Sequence, residues 1–458
     1  MRCCVNGFTT ALHGATLSLA FVIAMTVTGA AAEELESRLV IVTSFPETMF
    51  SRFRDAFQER HPEVKVKVLN KKTSAAISYI QQQPNRPGDI FWASSPDAFE
   101  VLKETERLAS HRPGTEGIPA AVGGYPVNDP EGFYSGFALS GYGMMWNTEY
   151  LGKYGLTSPK DWTDLTGADY FRHVGISAPS RSGTTHVAVE TVLQREGWKK
   201  GWATWLEIAG NLATVTARSF GIPDGVNNGR FGIGVVIDFF GLSAKAMGFP
   251  VEFVYPRKTA LIPANVALIE GAGNPKAAMA FIEFLLSPDG QTLLLEPTIR
   301  RLPIRPSTYV SAPGGYPNPF ENAWETSDPV FDSALSRRRY HLVNALFDQI
   351  ITYRIKALNR TWQAIHEAEV QLAAKPDEEA SRVIAQARRL ASAVPLTEEK
   401  AGDPSIAPVF TQVKRGISLP PLQARLHKEW EDFSRRNLSD ASRLAEMARS
   451  ILSQPEGQ

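Results

Sequence analysis

The chain has 458 residues, of which 43% are hydrophobic, and it carries 48 basic and 48 acidic side chains. A balance so close to neutral argues against a nucleic acid or an anionic membrane surface as the main partner, because both select basic patches. The length exceeds what one hydrophobic core usually serves, so we expect two or three lobes.

The first residues predict an export signal. Cys3 and Cys4, the two cysteines of the chain, lie there beside Arg2, and an apolar run covers residues 15–27. Small residues follow the run, which predicts a cleavable signal peptide over residues 1–32 and a periplasmic mature chain. An uncleaved membrane anchor is the alternative, but the run is shorter than the roughly 20 residues that span a bilayer. Without cysteines, the mature chain has neither disulfides nor thiolate chemistry.

Alternating strand and helix patterns predict an α/β fold. Apolar runs rich in β-branched residues predict buried strands at residues 38–44, 64–69, 89–92, 174–179 and 231–238. Helical patterns separate these runs, as in a mostly parallel sheet with helices on both faces. In such sheets ligands bind beyond the carboxyl ends of the strands, so polar residues at those ends are candidates for binding.

Two long extended segments and a change of composition near residue 328 complete the pattern. Residues 137–147 predict one extended strand that crosses between lobes, and residues 251–256 and 260–268 predict the return crossing. From about Asp328 glycine nearly vanishes and long helical patterns follow, so we expect an additional helical region at the C-terminal end.

The turn before a helix at residues 180–185 is a candidate anion site. Its small hydroxyl residues and its glycine can present backbone N–H groups and hydroxyl donors to an anion, which the helix dipole favours. An arginine can add a charge-assisted fork, and a histidine at the helix start a further donor. The same residue types also serve as ordinary helix caps, so both interpretations stay open. The candidates in this segment are Arg181, Ser182, Gly183, Thr184, Thr185 and His186.

Further candidates follow other strands or lie on the predicted crossing strand. Two pairs of hydroxyl residues end the first and third strands, where ligand binding and helix capping compete. A carboxylate after another apolar strand can accept hydrogen bonds from ligand hydroxyls, or instead cap a helix or join a buried ion pair. A tyrosine on the crossing strand can contact the ligand. These candidates are Thr43, Ser44, Ser94, Ser95, Asp238 and Tyr142.

Three stretches of the chain carry a resemblance to a known family. Residues 39–57, 142–147 and 262–291 together resemble the periplasmic solute-binding proteins of ABC importers, in the two-lobed class that includes the ferric-ion binders. Within this class, residues 178–186 are most similar to the branch that binds sugar phosphates, phosphoglycerates or phosphonates. The resemblance covers about residues 38–306.

The resemblance implies a type II periplasmic binding fold with a helical C-terminal extension. We expect a two-lobed binding domain over residues 33–330, with one lobe of about 38–140 plus 260–330 and a second of about 145–255. The extension would cover residues 331–458. The resemblance also implies that the lobes close over a small anionic solute and that the protein docks on an ABC permease in the inner membrane.

Three alternative functions stay open. Ferric-ion transport is disfavoured, because the chain lacks the adjacent tyrosine pair of ferric binders and its histidines show no metal-ligand spacing. A sensor that signals to a histidine kinase would use the same fold and site, since the branch includes a regulator of phosphoglycerate transport. A secreted phosphate-ester hydrolase is the third, but the chain lacks evident metal ligands and no catalytic motif supports an enzyme. A Ser-His-Asp arrangement of Ser182, His186 and Asp238 also stays open, although nothing in the sequence selects it. We therefore expect neither catalysis nor a cofactor nor a metal.

Overall fold

Two β-sheets organise the chain in the computed structural model, which describes residues 34–83, 87–122, 124–257, 259–321, 331–410 and 419–454. The predicted signal peptide over residues 1–32 lies outside the described residues. The described strands are β1 (Arg38–Thr43), β2 (Lys65–Asn70), β3 (Ile90–Ala93), β4 (Leu108–Ala109), β5 (Ala121–Val122), β6 (Tyr125–Pro126), β7 (Ser135–Ser140), β8 (Tyr142–Asn147), β9 (Val174–Ser177), β10 (Leu212–Thr216), β11 (Ile233–Ile237), β12 (Val251–Val254), β13 (Ile262–Ile269) and β14 (Leu302–Pro303).

Helices cover both sheets and continue to the end of the described chain. They are α1 (Glu47–Arg60), α2 (Thr73–Gln82), α3 (Pro96–Glu104), α4 (Thr148–Tyr154), α5 (Gly183–Glu196), α6 (Trp198–Gly210), α7 (Gly221–Asn227), α8 (Asp238–Ala246), α9 (Pro275–Leu286), α10 (Pro288–Leu293), α11 (Ser333–Phe347), α12 (Ile355–Ala374), α13 (Glu378–Ala391), α14 (Glu398–Ala401) and α15 (Pro421–Ser453). The predicted α/β architecture with a helical C-terminal region is confirmed. No helix among the described residues is both long and apolar enough to cross a bilayer.

The first lobe is built on a sheet with the strand order β14-β7-β13-β3-β1-β2, in which β4 also pairs with β13. β1 runs parallel to β2 and β3, whereas β13 is antiparallel to β3 and β7. Aromatic side chains from α1 and α9 pack on this sheet, with the rings of Phe53 and Phe281 centred 5.5 and 5.8 Å from that of Trp92. The face of α1 that carries its phenylalanines is therefore its core face.

The second lobe is built on a sheet with the strand order β10-β9-β11-β8-β12. β9 is parallel to β10 and β11, and β8 is antiparallel to β11 and β12. Its core contains a group of tryptophans from α6 and the preceding segments, including Trp162, Trp198, Trp202 and Trp205. Each sheet therefore has its own hydrophobic core.

The segment over residues 137–147 crosses between the lobes as predicted, but as two strands rather than one. The segment forms two strands, of which β7 belongs to the first sheet and β8 to the second, with Gly141 between them. The chain returns from β12 in the second sheet to β13 in the first. A Cβ atom on Gly141 would lie 2.5 Å from the ring of Tyr255 on the return segment, so only glycine fits where the two connections pass each other.

Hydrogen bonds join the two connections into one hinge. The carboxylate of Asp238 accepts hydrogen bonds from the backbone N–H of Gly141, at 2.7 Å, and from the hydroxyl of Tyr255, at 3.0 Å. The hydroxyl of Thr259 donates to the carbonyl of Tyr142, at 2.6 Å, and accepts from the N–H of the same residue, at 3.2 Å. The lobes are thus connected by a small, internally bonded unit of backbone.

The C-terminal helices pack mainly on the second lobe. Trp362 of α12 is fully buried against Gly210, the last residue of α6, where a Cβ atom would lie 2.5 Å from the tryptophan side chain. Side chains of α12, α13 and α15 belong to the same hydrophobic cluster as the second sheet. The second lobe and these helices therefore share one core.

Helix α11 differs from the other C-terminal helices because it contacts both lobes. Its Tyr340 packs in the core of the first lobe, whereas its Leu342 and Leu346 pack in the core of the second. Arg337 forms an ion pair of 2.8 Å with Glu104 of α3. Arg339 donates two hydrogen bonds, at 2.8 and 2.7 Å, to the buried Glu190 of α5. Glu104 lies in the first lobe and Glu190 in the second, so α11 bridges the two lobes.

Gly141→Ala is expected to destabilise the fold by about 1–3 kcal/mol, because the new methyl group would overlap the ring of Tyr255. The free energy of unfolding in urea measures the effect. Gly152→Ala is the matched control, since a Cβ atom there meets nothing within 4 Å and the residue lies in α4. This control is expected to be neutral or to stabilise by up to about 1 kcal/mol. Equal stability of the two variants would contradict the close packing of the hinge.

Candidate functional site: a cleft between the lobes

The two lobes face each other across a narrow cleft. It is lined from the first lobe by Ser44, Phe45, Pro46, Lys72, Thr73 and Ser94, and from the second by Arg181, Ser182, Gly183, Thr184, Arg218, Ser219, Phe220, Phe239 and Phe240. The enclosed space measures about 20 Å³, which is room for about one water molecule. A larger solute therefore enters only when the lobes separate.

Direct contacts across the cleft show how closely the lobes approach. A Cβ atom on Gly183 would lie 2.6 Å from the Cβ of Ser95 in the opposite lobe. The hydroxyl of Ser74 donates to the carbonyl of Ser180 at 3.0 Å. The guanidinium of Arg218 donates across the cleft to the side-chain oxygen of Asn70 at 3.1 Å. This arrangement is a closed conformation.

The cleft is electropositive. Lys72, Arg181 and Arg218 line it, and among its described lining residues none is acidic. The guanidinium of Arg218 lies 4.3 Å from the ring centroid of Phe220, and its burial lowers the pKa of this arginine. The starts of α1, α2 and α5 also contribute lining residues, and neither α1 nor α2 has a side-chain cap. Their first N–H groups and positive dipole ends add to the positive potential.

The start of α5 differs in detail from the prediction. The helix begins at Gly183, inside the segment predicted to be a turn. Ser182 caps it, since its Oγ accepts hydrogen bonds from the N–H of Thr185, at 3.2 Å, and from the hydroxyl of the same residue, at 3.1 Å. Thr185 is buried and also bonds to Ser177. The structure thus brings Arg181, Ser182, Gly183 and Thr184 to the cleft but turns Thr185 into the lobe.

The hydroxyl candidates at the strand ends divide in the same way. Ser44 and Ser94 line the cleft. Thr43 is fully buried, with its hydroxyl donating to the carbonyl of Trp92 at 2.7 Å, so it ties β1 to β3 rather than reaching the cleft. Ser95 is also buried, in contact with Gly183 across the lobe boundary.

Asp238 and Tyr142 lie at the hinge, outside the lining of the cleft. The two oxygens of Asp238 accept hydrogen bonds from three donors of the protein itself, including the N–H of Phe239 at 2.8 Å. Burial raises the pKa of this carboxyl to about 6. Tyr142 is also fully buried, and its hydroxyl has no hydrogen-bond partner.

His186 is not brought to the cleft. Its ring nitrogens lie 2.8 Å from the side-chain oxygen of Asn344 and 3.1 Å from the hydroxyl of Ser336, both on α11. Complete burial lowers the pKa of His186 to about 4, so the imidazole is neutral near pH 7. The helix position suggested a ligand contact because sequence does not show that α11 covers this side of α5.

A buried carboxyl group faces this histidine. The Oδ2 atom of Asp97 lies 3.7 Å from the Nε2 atom of His186, beyond hydrogen-bond distance, and both side chains are fully buried. Burial raises the pKa of Asp97 to about 7. Between pH 4 and 7 both groups are therefore neutral, and their contact is not an ion pair.

Several cleft residues have no counterpart among the sequence candidates. Lys72 precedes α2, and Arg218 follows β10. Arg218 lies beyond the carboxyl end of a strand, where ligands are expected, but the sequence did not predict that strand. Aromatic rings also line the cleft, namely those of Phe45, Phe220, Phe239 and Phe240. No group of three or more metal-ligating side chains occurs in the parts of the chain that the structure describes.

Comparison with known proteins identifies the family. The sequence profile of the bacterial extracellular solute-binding proteins matches residues 85–306. The phosphoglycerate transport regulatory protein PgtC of Salmonella typhimurium is 30% identical over 367 residues, which are 80% of this chain and 87% of PgtC. The chain belongs to the extracellular solute-binding protein family. Such proteins are transport components that bind small molecules outside the cytoplasm.

Solved structures confirm the two-lobed type II fold. The periplasmic binding protein AfuA of Actinobacillus pleuropneumoniae, with bound fructose-6-phosphate, is similar with a TM-score of 0.59 and 21% identity, over 71% of this chain and 97% of AfuA. The apo ferric ion-binding protein A of Pasteurella haemolytica is similar with a TM-score of 0.54 and 14% identity, over 68% of this chain and 97% of that protein. This chain is therefore longer than the shared fold.

Asp97→Asn is expected to change how stability depends on pH. The pKa of Asp97 rises from an ordinary 3.8 to about 7 in the folded chain, so the folded chain keeps a proton that the unfolded chain releases. This lowers the wild-type free energy of unfolding as the pH rises through that interval. Asparagine cannot ionise, so the stability of the variant relative to wild type should rise by about 2 kcal/mol between pH 5 and 8.

Urea denaturation at the two pH values measures this difference. Asp169→Asn, which removes an exposed carboxylate in the same way, is the control. Parallel pH profiles for wild type and Asp97→Asn would contradict the raised pKa.

Proposed function

We propose that this protein captures a small anionic solute, a phosphorylated organic compound such as a sugar phosphate, a phosphoglycerate or a phosphonate, and delivers it to an ABC permease in the inner membrane. One observation carries the proposal: three cations and three helix starts line a cleft whose described lining residues include no acid. Phosphate groups bind at such sites because N–H donors, hydroxyls and arginine forks all favour negative charge. The predicted signal peptide over residues 1–32 would place the protein in the periplasm.

The hinge supports capture by closure. Opening at Gly141 and at the return segment would expose the cleft, and closure would bury the solute between the lobes. The proposed contacts are Ser44, Lys72, Ser94, Arg181, Ser182, Gly183, Thr184 and Arg218. Thr43, Ser95 and Thr185 would hold the surrounding backbone in place. The binding domain in this proposal covers residues 33–330, and the helical extension covers residues 331–458.

The relatives support a phosphorylated solute. The name of PgtC refers to phosphoglycerate transport, and the AfuA structure contains fructose-6-phosphate. Ferric-ion binding is less well supported, since the described cleft lining lacks the carboxylate, imidazole and phenolate side chains that hold iron. A hydrolase is disfavoured as well, because both nitrogens of His186 are occupied by α11 and cannot act on Ser182.

A periplasmic sensor is the second candidate function. PgtC is described as a regulatory protein, and helix α11 of this chain contacts both lobes. A helix that bridges the lobes is suited to signal their closure to a partner such as a histidine kinase. Co-purification with a permease or with a kinase from the native membrane would discriminate the two functions.

Ligand binding is expected to stabilise the protein only when the solute carries a phosphate or phosphonate group. Binding at a hundredfold excess over the dissociation constant adds about 2.7 kcal/mol of stability, which thermal denaturation detects. Fructose-6-phosphate, 3-phosphoglycerate and an alkyl phosphonate are the probes, with unphosphorylated fructose and glycerate as controls. A shift caused only by ferric citrate would contradict the proposal.

Lys72→Gln is expected to weaken binding of the active phosphate ester by roughly tenfold, because the variant removes one charge-assisted contact. Isothermal titration calorimetry measures the dissociation constant. Lys67→Gln is the matched control, since Lys67 is exposed on β2 and does not line the cleft. If both variants bound the ester equally, the cleft would not be its site.

A further inference from the structure

A buried arginine lies directly behind the lining of the cleft. Arg301 is fully buried, and its guanidinium donates to the hydroxyls of Ser140, at 3.0 Å, and Ser94, at 3.2 Å. Both acceptors are neutral, and the Nε atom of the guanidinium has no hydrogen-bond partner. Buried arginines are usually paired with acids, so this one has unused capacity to bind an anion.

The guanidinium lies between the two lobes. Its central carbon is 4.4 Å from the ring centroid of Phe45, which follows β1 in the first lobe. It is 3.9 Å from the ring centroid of Phe239, in α8 of the second lobe. Both rings line the cleft. Because each lobe supplies one ring, separation of the lobes must uncover the cation on at least one face.

The charged groups around Arg301 do not satisfy it. The negative charge of Asp238 favours the charged form of Arg301, but both oxygens of this carboxylate already accept hydrogen bonds from other donors. Burial lowers the pKa of Arg301 to about 10, so it stays a cation near pH 7. Tyr142 lies two residues beyond Ser140, whose hydroxyl accepts a hydrogen bond from Arg301, and the fully buried hydroxyl of Tyr142 also lacks a partner.

We propose that Arg301, together with Tyr142 and Ser94, forms a second anion subsite, and that the solute carries a second anionic group. This inference rests on the proposed function, which places the phosphate group in the positive cleft. The planar fork of an arginine matches a carboxylate or a second phosphate. The substrate class is then a phosphate monoester that carries a further carboxylate or phosphate, rather than the phosphate ester of an uncharged sugar.

Two matched ligands test the subsite. Glycerol-3-phosphate and 3-phosphoglycerate share the phosphate ester and differ by a hydroxymethyl group in place of a carboxylate. Calorimetry on the wild-type chain is expected to show 3-phosphoglycerate binding roughly tenfold to a hundredfold more tightly, as one charge-assisted contact predicts. Arg301→Met is expected to remove this preference while leaving the affinity for glycerol-3-phosphate nearly unchanged.

Tyr142→Phe keeps the test valid if Arg301→Met fails to fold. The tyrosine hydroxyl has no partner in the closed conformation, so its removal leaves the packing intact. The variant is expected to bind 3-phosphoglycerate several-fold more weakly, as loss of one hydrogen bond implies, and glycerol-3-phosphate as before. Arg301→Lys, which keeps the charge without the fork, is expected to retain an intermediate preference.

The outcomes separate this subsite from the proposed function. Equal affinity of the wild-type chain for both esters would overturn the subsite and leave phosphate capture in place. Equal weakening of both esters by Tyr142→Phe would also overturn it, since that result indicates a structural role. Failure of the wild-type chain to bind these esters, fructose-6-phosphate and the alkyl phosphonate alike would overturn the proposed function, and the subsite with it.

Discussion

The hydrogen bonds of Asp238 hold the two connections between the lobes together, and the geometry of the cleft depends on them. One carboxylate bonds to the N–H of Gly141 on the outgoing connection and to the hydroxyl of Tyr255 on the return. It also bonds to the N–H of Phe239, whose ring lines the cleft. A single buried group thus fixes where the chain leaves one lobe, where it returns, and how one wall of the cleft is placed.

The cleft combines a positive lining with aromatic rings. Cations and helix starts favour negative charge, while four phenylalanine rings line the same space of about 20 Å³. Electrostatic interactions are stronger in a narrow site walled by protein than in bulk water. Burial makes unsatisfied donors costly, so the Nε atom of Arg301 and the hydroxyl of Tyr142, which both lack partners, raise the energy of the closed conformation.

Sequence patterns predicted the fold well because hydrophobic periodicity is local. The strand-end rule also located Ser44, Ser94 and the segment from Arg181 to Thr184, all of which line the cleft. It missed Arg218 because β10 is a half-buried edge strand of five residues, without the long apolar run that identified other strands. The division of the predicted crossing strand into two strands was missed for a related reason, since a continuous apolar pattern does not show which sheet pairs with each half.

The sequence patterns did not predict which way several polar side chains point. Asp238 and His186 both occupy positions typical of ligand contacts, at the end of a strand and near the start of a helix. Yet Asp238 faces the hinge, and His186 faces α11, whose Ser336 lies 150 residues later in the chain. Arg301 follows no motif at all, and its position between Phe45 and Phe239 arises from three distant segments. Such placements depend on tertiary packing, which overrides local preference.

The bridging helix α11 changes the energetics of opening. Its Arg337 is bonded to the first lobe and its Arg339 to the second, so the lobes separate only if one of these ion pairs breaks or the helix moves with one of them. Occupancy of the cleft is thereby coupled to the position of a helix that a macromolecular partner could touch without reaching the solute. By thermodynamic reciprocity, a partner that binds α11 differently in the open and closed conformations also changes the affinity of the cleft for its solute.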